Sequence, residues 1–142
     1  MGLHRRAGMN NFVQVQGLST RYLERGQGPA VVLLHGASLG SSADVWSDNL
    51  SALAAYGLRT IAFDQPGFGL SDNPADHAVG FRTRFVPAFM DKLRIDRAHI
   101  VGHSQSGQIA VRLALAQPGR VERIVVLGTA SMLPPLEEGA KD

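Results

Sequence analysis

The sequence predicts an α/β fold with a mostly parallel sheet and an N-terminal antiparallel hairpin. Two features predict it. Residues alternate in polarity from Asn11 to Arg25 around Gly17, which is the pattern of a hairpin with one packed and one wet face. Beyond it, short strand-like segments headed by the continuous apolar run Ala30 to Leu34 alternate with helical periodicities, which implies parallel pairing through right-handed crossovers.

The elements follow in order. Gly26 to Pro29 ends the hairpin, and Ala30 to Leu34 reads as a strand buried on both faces. From Asp44 to Ala55, Trp46, Leu50, Leu53 and Ala54 fall at helical spacing, with Gly57 as the stop. Arg59 to Phe63 is the next strand and runs into the irregular, Gly- and Pro-rich loop Asp64 to Ser71. Phe81, Phe85 and Phe89 recur every four residues, joined by Met90 and Leu93, and predict a helix with an aromatic core stripe. Pro87 inside that pattern should kink the helix or mark its true first turn. Ala98 to Val101 is a strand, and Gln105 to Gln117 is a helix apolar nearly all round, with Arg112 its one charge, expected to lie buried between other elements. Pro118-Gly119 stops it, and Arg123 to Leu127 is the last strand, followed by a Pro-rich, acidic tail.

Composition narrows the class. The 142 residues fit one domain, 1–10 read as a disordered leader and 11–142 as the domain itself. A formal charge of +2 from 14 basic and 12 acidic side chains argues for neither a nucleic-acid nor a membrane partner. The apolar runs are far too short to span a bilayer. With no cysteine there is no disulfide framework and no thiolate nucleophile, which suits a cytoplasmic protein. Neither metal-ligand spacing nor a phosphate-loop or dinucleotide glycine pattern occurs, so no metal and no cofactor are expected.

Chemistry concentrates at Gly102-His103-Ser104-Gln105-Ser106-Gly107, between a strand and a helix. A serine with small residues two positions to either side on such a turn is the pattern of a nucleophile elbow. The tight turn strains its central residue, excludes bulk at its flanks, and aims the next helix's N-terminal amides and dipole at the place where negative charge develops. Gly102 and Ser106 meet the size limit, and Ser104 is the candidate nucleophile. Ser106 stands where the pattern has glycine. Taking Ser106 itself as the nucleophile would put Gln108 at a flank too tight for it, and the plain alternative is a Gly/Ser-rich loop with no chemistry. Parallel sheets form their sites at the carboxyl ends of strands, where the loops at His35, Asp64 and Ser104 all fall.

His35-Gly36, Asp64-x-Pro66-Gly67-x-Gly69-x-Ser71 and the Ser104 motif, in that order and spacing, resemble the N-terminal half of the α/β-hydrolase fold. Residues 63–72 and the helix from Arg82 to Leu93 are also similar to the branch of meta-cleavage-product (carbon–carbon bond) hydrolases and related esterases. The resemblance implies that Ser104 forms an acyl-enzyme and that the backbone amides of Ala37 and Gln105 make the oxyanion hole. Each such donor is worth roughly 3 to 4 kcal/mol of transition-state stabilisation. His35, Gly36, Gly102, His103 and Ser106 become supporting loop positions, and Asp64 part of a turn that organises the floor of the site. His35 resembles the family's structural loop histidine, and His103, next to the nucleophile along one strand, should point to the other side. His4, His77 and His99 read as leader, loop and surface positions. Where the carbon–carbon hydrolases tend to carry further glycines, this chain has Ala37-Ser38-Leu39-Gly40. Dehalogenases and epoxide hydrolases of the fold use aspartate at the elbow, where this chain has Ser104.

In this family the acid and the histidine of the triad follow the serine, and no histidine follows Ser104 here. The expectation is a serine hydrolase of a small-molecule ester or ketone-type substrate, read as truncated before its acid and base, with its last strands and lid absent. A cofactor-free perhydrolase would use the same triad. The alternative is a non-catalytic binding or interaction module that self-associates through the open sheet edge at its last strand.

Overall fold

The computed structural model describes residues 10–129. The tail after Thr129 and all of the expected leader except Asn10 lie outside the described residues. Strands β1 (Asn11–Val15) and β2 (Leu18–Arg25) form the hairpin, and Gln16 and Gly17 turn it with φ of 50° and 78°. Two consecutive residues at positive φ make a turn whose twist matches that of the flanking strands. Next come β3 (Ala30–Leu34), α1 (Ser47–Ala54), β4 (Arg59–Phe63), α2 (Val79–Lys92), β5 (Ala98–His103), α3 (Ser106–Ala116) and β6 (Val121–Leu127).

Among the described residues the sheet has six strands, ordered β1-β2-β4-β3-β5-β6. β1 with β2 and β2 with β4 are antiparallel, whereas β4 with β3, β3 with β5 and β5 with β6 are parallel. Alternate residues of the central strands supply two apolar layers. Val32, Leu34, Ile61, Phe63 and Ile100 pack with Phe85, Val86, Phe89 and Ile109 of α2 and α3. On the opposite face Val31, Leu33 and Ala62 meet Trp46 and Leu50. This two-sided burial is why β3 reads as an unbroken apolar run. The aromatic stripe of α2 is core: the Phe63 ring stacks on Phe89 at 4.2 Å and lies 5.9 Å from Phe85.

Three expectations are corrected. The first turn before α1, Ala43–Trp46, is a 3-10 turn, with Ser42 Oγ accepting the Asp44 amide at 3.3 Å. Pro87 does not mark the first turn of α2, which begins at Val79 and carries the proline in its interior. Its missing N–H leaves the Thr83 carbonyl without a helical donor, a defect tolerated while Phe85, Val86 and Phe89 on either side are fully buried. Helix α3 is not buried all round: Ile109, Ala110 and Leu113 face the core, but Leu115 is 79% exposed. Alanines make much of that helix's apolarity, and small residues sit at a surface without penalty.

Among the described residues β6 is an edge strand, where Ile124, Val125 and Leu127 are exposed. Among the described residues no helix is long and apolar enough to cross a membrane.

Candidate active site

β5 delivers the chain to Ser104, which has φ of +56°, a left-handed conformation rare in a residue with a side chain. Three hydrogen bonds hold it there. The Ser104 amide donates to the Leu127 carbonyl of β6 at 2.7 Å, and the Ser104 carbonyl accepts from the Gly107 amide at 3.0 Å and from Thr129 Oγ1 at 2.6 Å. The flanks are sterically closed. A Cβ on Gly102 would overlap the Ser106 carbonyl, and one on Gly107 would overlap the Thr129 hydroxyl. A side chain is admitted at position 106, where the buried Ser106 hydroxyl donates to the His35 carbonyl at 2.5 Å and accepts from Gln65 Nε2 at 3.1 Å. The sequence marked Ser106 only as small; it is also a polar tie between the elbow and the loop after β3.

That loop runs against the elbow: a Cβ on Gly36 would lie 3.2 Å from Ser104 Cβ and 3.3 Å from His103 Nδ1. Ala37 and Gln105 are both exposed, on either side of this contact. Among the described residues neither the Ala37 nor the Gln105 amide donates a backbone hydrogen bond. Two uncommitted N–H groups beside a serine are what an anion-stabilising hole requires. Ser104 Oγ likewise makes no hydrogen bond among the described residues.

His35 is buried and committed. Its Nδ1 lies 2.6 Å from the Gly36 carbonyl and its Nε2 3.0 Å from the Gln65 amide, so the partners assign the proton to Nδ1 and the acceptor role to Nε2. Burial pushes its pKa below the ordinary 6.5, keeping the ring neutral. Exposed His103 stands edge-on to Trp46 at 6.4 Å and makes no hydrogen bond to Ser104 among the described residues. Asp64 is fully buried, accepting from the Ala43 amide at 2.7 Å, the Leu70 amide at 2.8 Å and Arg21 at 3.3 Å. Arg21 also pairs with Asp44 at 2.8 Å, a contact that raises the Arg21 pKa and holds the Asp44 carboxyl below the usual range. Arg21 Nε reaches Asn10 Oδ1 at 2.6 Å. With both oxygens occupied, Asp64 acts as a knot between the loops after β3 and β4. A cavity of about 560 Å³ opens beside these loops, lined by Leu39, Gly40, Phe68 and Leu70 among others.

Sequence reasoning missed Gln65 and Arg82. Gln65, 1% exposed, donates through Nε2 to the His35 carbonyl at 2.8 Å as well as to Ser106. Arg82, 6% exposed, donates to Gln65 Oε1 at 2.8 Å and to Gln105 Oε1, and its guanidinium carbon lies 5.6 Å from the Phe68 ring centroid. Burial lowers its pKa. A signal existed, since Arg82 is spaced three and seven residues before Phe85 and Phe89 and so interrupts the apolar face of α2 with a charge. Among the described residues no group of three or more His, Asp or Glu could hold a metal ion.

A mostly parallel six-stranded sheet packed between helices, with a tight strand-to-helix turn at Ser104, defines the class as an α/β protein. The family model for the alpha/beta hydrolase fold matches residues 29–142, and the chain belongs to that family. It is 39% identical over 114 residues to a 2-hydroxy-6-oxo-6-phenylhexa-2,4-dienoate hydrolase of Burkholderia cepacia, covering 77% of this chain and 39% of that protein. The bifunctional epoxide hydrolase 2 of Mus musculus is 34% identical over 129 residues, 88% of this chain and 23% of that protein. Among solved structures, a meta-cleavage product hydrolase from Pseudomonas fluorescens IP01 superposes with a TM-score of 0.77 at 34% identity, over 80% of this chain and 43% of that one. The chain thus spans less than half the length of these relatives.

Proposed function

We propose that the chain carries the nucleophile half of a serine hydrolase acting on a small-molecule ester or an activated, ketone-type carbon–carbon bond. Ser104 Oγ attacks the substrate carbonyl, its proton passes to a general base, and the carbonyl oxygen becomes negative between the Ala37 and Gln105 amides. Collapse expels the alcohol or, protonated at carbon, the carbon leaving group. Water then cleaves the acyl-Ser104 ester and regenerates the hydroxyl. His35, Gly36, Gly102, His103 and Ser106 shape the two loops. On this reading the acid and base lie in the length by which the relatives exceed the chain, and the cysteine-free sequence suits a cytoplasmic setting. The observation that carries the proposal is Ser104 at φ +56° between glycines with no room for a Cβ.

The test is labelling by a fluorophosphonate, in a form of the protein extended to the relatives' length. Label on Ser104 that disappears in Ser104→Ala supports the assignment; label that survives the substitution sinks it. The exposed Ile124, Val125 and Leu127 on β6 favour a second reading, a non-catalytic module that pairs this edge with another copy. Sedimentation of the 142-residue chain distinguishes them: a dimer abolished by Val125→Lys supports the module, and a monomer rejects it.

A further inference from the structure

Arg82 lies on the core-facing side of α2, yet among the described residues none of its partners is a carboxylate. It donates to Gln65 Oε1 at 2.8 Å and to Gln105 Oε1, faces the Phe68 ring, and keeps a buried Nε with no acceptor. Among the described residues no ion pair compensates its charge. A buried cation with only neutral partners is expensive, and an apolar residue of similar volume often serves a fold equally well or better. The helical pattern would be satisfied by leucine or methionine at position 82.

The two partners show what the guanidinium does. Gln105 follows Ser104 and supplies one of the two uncommitted amides. Gln65 reaches the other arm, since its Nε2 donates to the His35 carbonyl at 2.8 Å and to Ser106 Oγ at 3.1 Å, and that hydroxyl donates in turn to the same carbonyl at 2.5 Å. His35 stands two residues before Ala37. One rigid fork therefore touches both arms of the hole, and no described residue forms an ion pair with it.

We infer that Arg82 is a positioning residue for the oxyanion hole: it sets the separation of the Ala37 and Gln105 amides through Gln65 and Gln105, and it lays unneutralised positive charge behind the oxygen that becomes negative. The inference rests on the reading of Ser104 as nucleophile and adds a residue to it. Ser106, which stands where the elbow pattern has glycine, takes part, because its hydroxyl closes the link from Gln65 to the His35 carbonyl.

The sequence contains no cysteine, so Ser104→Cys installs a single thiol whose thiolate needs no base. Its pKa is read from the pH dependence of alkylation by iodoacetamide. With Arg82 present it should fall below the free value of about 8.5. Adding Arg82→Met should raise it by about one unit, a tenfold loss of thiolate below that pKa, whereas Arg82→Lys should keep it low. His35 and His103 lie near the same turn but are present in every variant, so the difference isolates Arg82. A second readout uses Ser104 itself in the extended form: the rate of fluorophosphonate labelling should fall about tenfold in Arg82→Met, and in Arg82→Lys, which keeps the charge without the fork, by an intermediate factor. Arg82→Gln, uncharged but able to donate to Gln65, is the neutral variant to use if Arg82→Met melts below the parent. An unchanged thiol pKa overturns the charge, and an unchanged labelling rate overturns the positioning. If Ser104 is not labelled in the parent, the nucleophile assignment fails while the thiol pKa still reports on Arg82.

Discussion

Asp64 takes the Ala43 amide at 2.7 Å, and through that bond the loop after β4 grips the loop after β3. The same carboxylate holds the Leu70 amide at 2.8 Å and faces buried Arg21 at 3.3 Å. Removing it leaves two amides without their acceptor and leaves Arg21 with Asp44 as its remaining carboxylate partner. Asp64→Ala should lower stability by about 3–5 kcal/mol, the range for breaking a buried pair from one side. Urea denaturation measures this, and a loss under about 1 kcal/mol would show that the knot is dispensable.

Ser104 should be under backbone strain. Two variants remove its hydroxyl, but only Ser104→Gly also removes the Cβ that disfavours φ of +56°. Ser104→Gly should therefore be about 1 kcal/mol more stable than Ser104→Ala, since left-handed strain of about 1–3 kcal/mol is partly offset by glycine's extra chain entropy. Equal melting temperatures would argue that the turn is not strained.

Gly102→Ala pushes a methyl into the Ser106 carbonyl, which is backbone and cannot swing aside. A loss of about 3 kcal/mol or outright failure to accumulate is expected, at the upper end of overpacking penalties. Gly119→Ala, where a Cβ meets open space, is the control and should stay within about 0.5 kcal/mol. Similar losses at both positions would contradict the steric account.

His35 gives the protein an acid-sensitive point. Its folded pKa is lowered from 6.5 by burial, so below that value the unfolded chain takes up a proton that the folded one resists. Stability should be complete above about pH 6.5 and decline as pH falls toward the folded pKa, below which the decline from this group ends. Asp44, held low chiefly by its hydrogen bond to Arg21, adds a second decline as pH falls below its ordinary 3.8. Urea midpoints between pH 8 and 5 should slope in the parent and flatten in His35→Gln. Parallel slopes in the two proteins would remove His35 as the cause.

The strands were readable because burial on two faces leaves no polar alternation, as at Ala30–Leu34 and Arg59–Phe63, whose ends coincide with expectation. The strand-to-helix turn at Ser104 was readable because small residues, Gly102 and Ser106, flank it two positions to either side. Arg82 and Gln65 were not read, because their role depends on three segments converging: residue 65 after β4, residue 82 on α2 and residue 105 after β5. Composition also could not show which side of α3 faces water. Its alanines suit either environment, and only the packing of Ile109 and Leu113 against the sheet decides it.

The amide of Ser104 is bonded to the carbonyl of Leu127, and its carbonyl to the hydroxyl of Thr129. The strained residue is thus moored to β6, an edge strand among the described residues, and to Thr129 just beyond it, instead of to the sheet's centre. Whatever lies alongside β6, whether more of the same polypeptide or a neighbour, presses on the far end of those two moorings. The stiffness of the serine's perch is a property of the sheet's margin, and a loosened margin would let the hydroxyl wander before any residue at the site had changed.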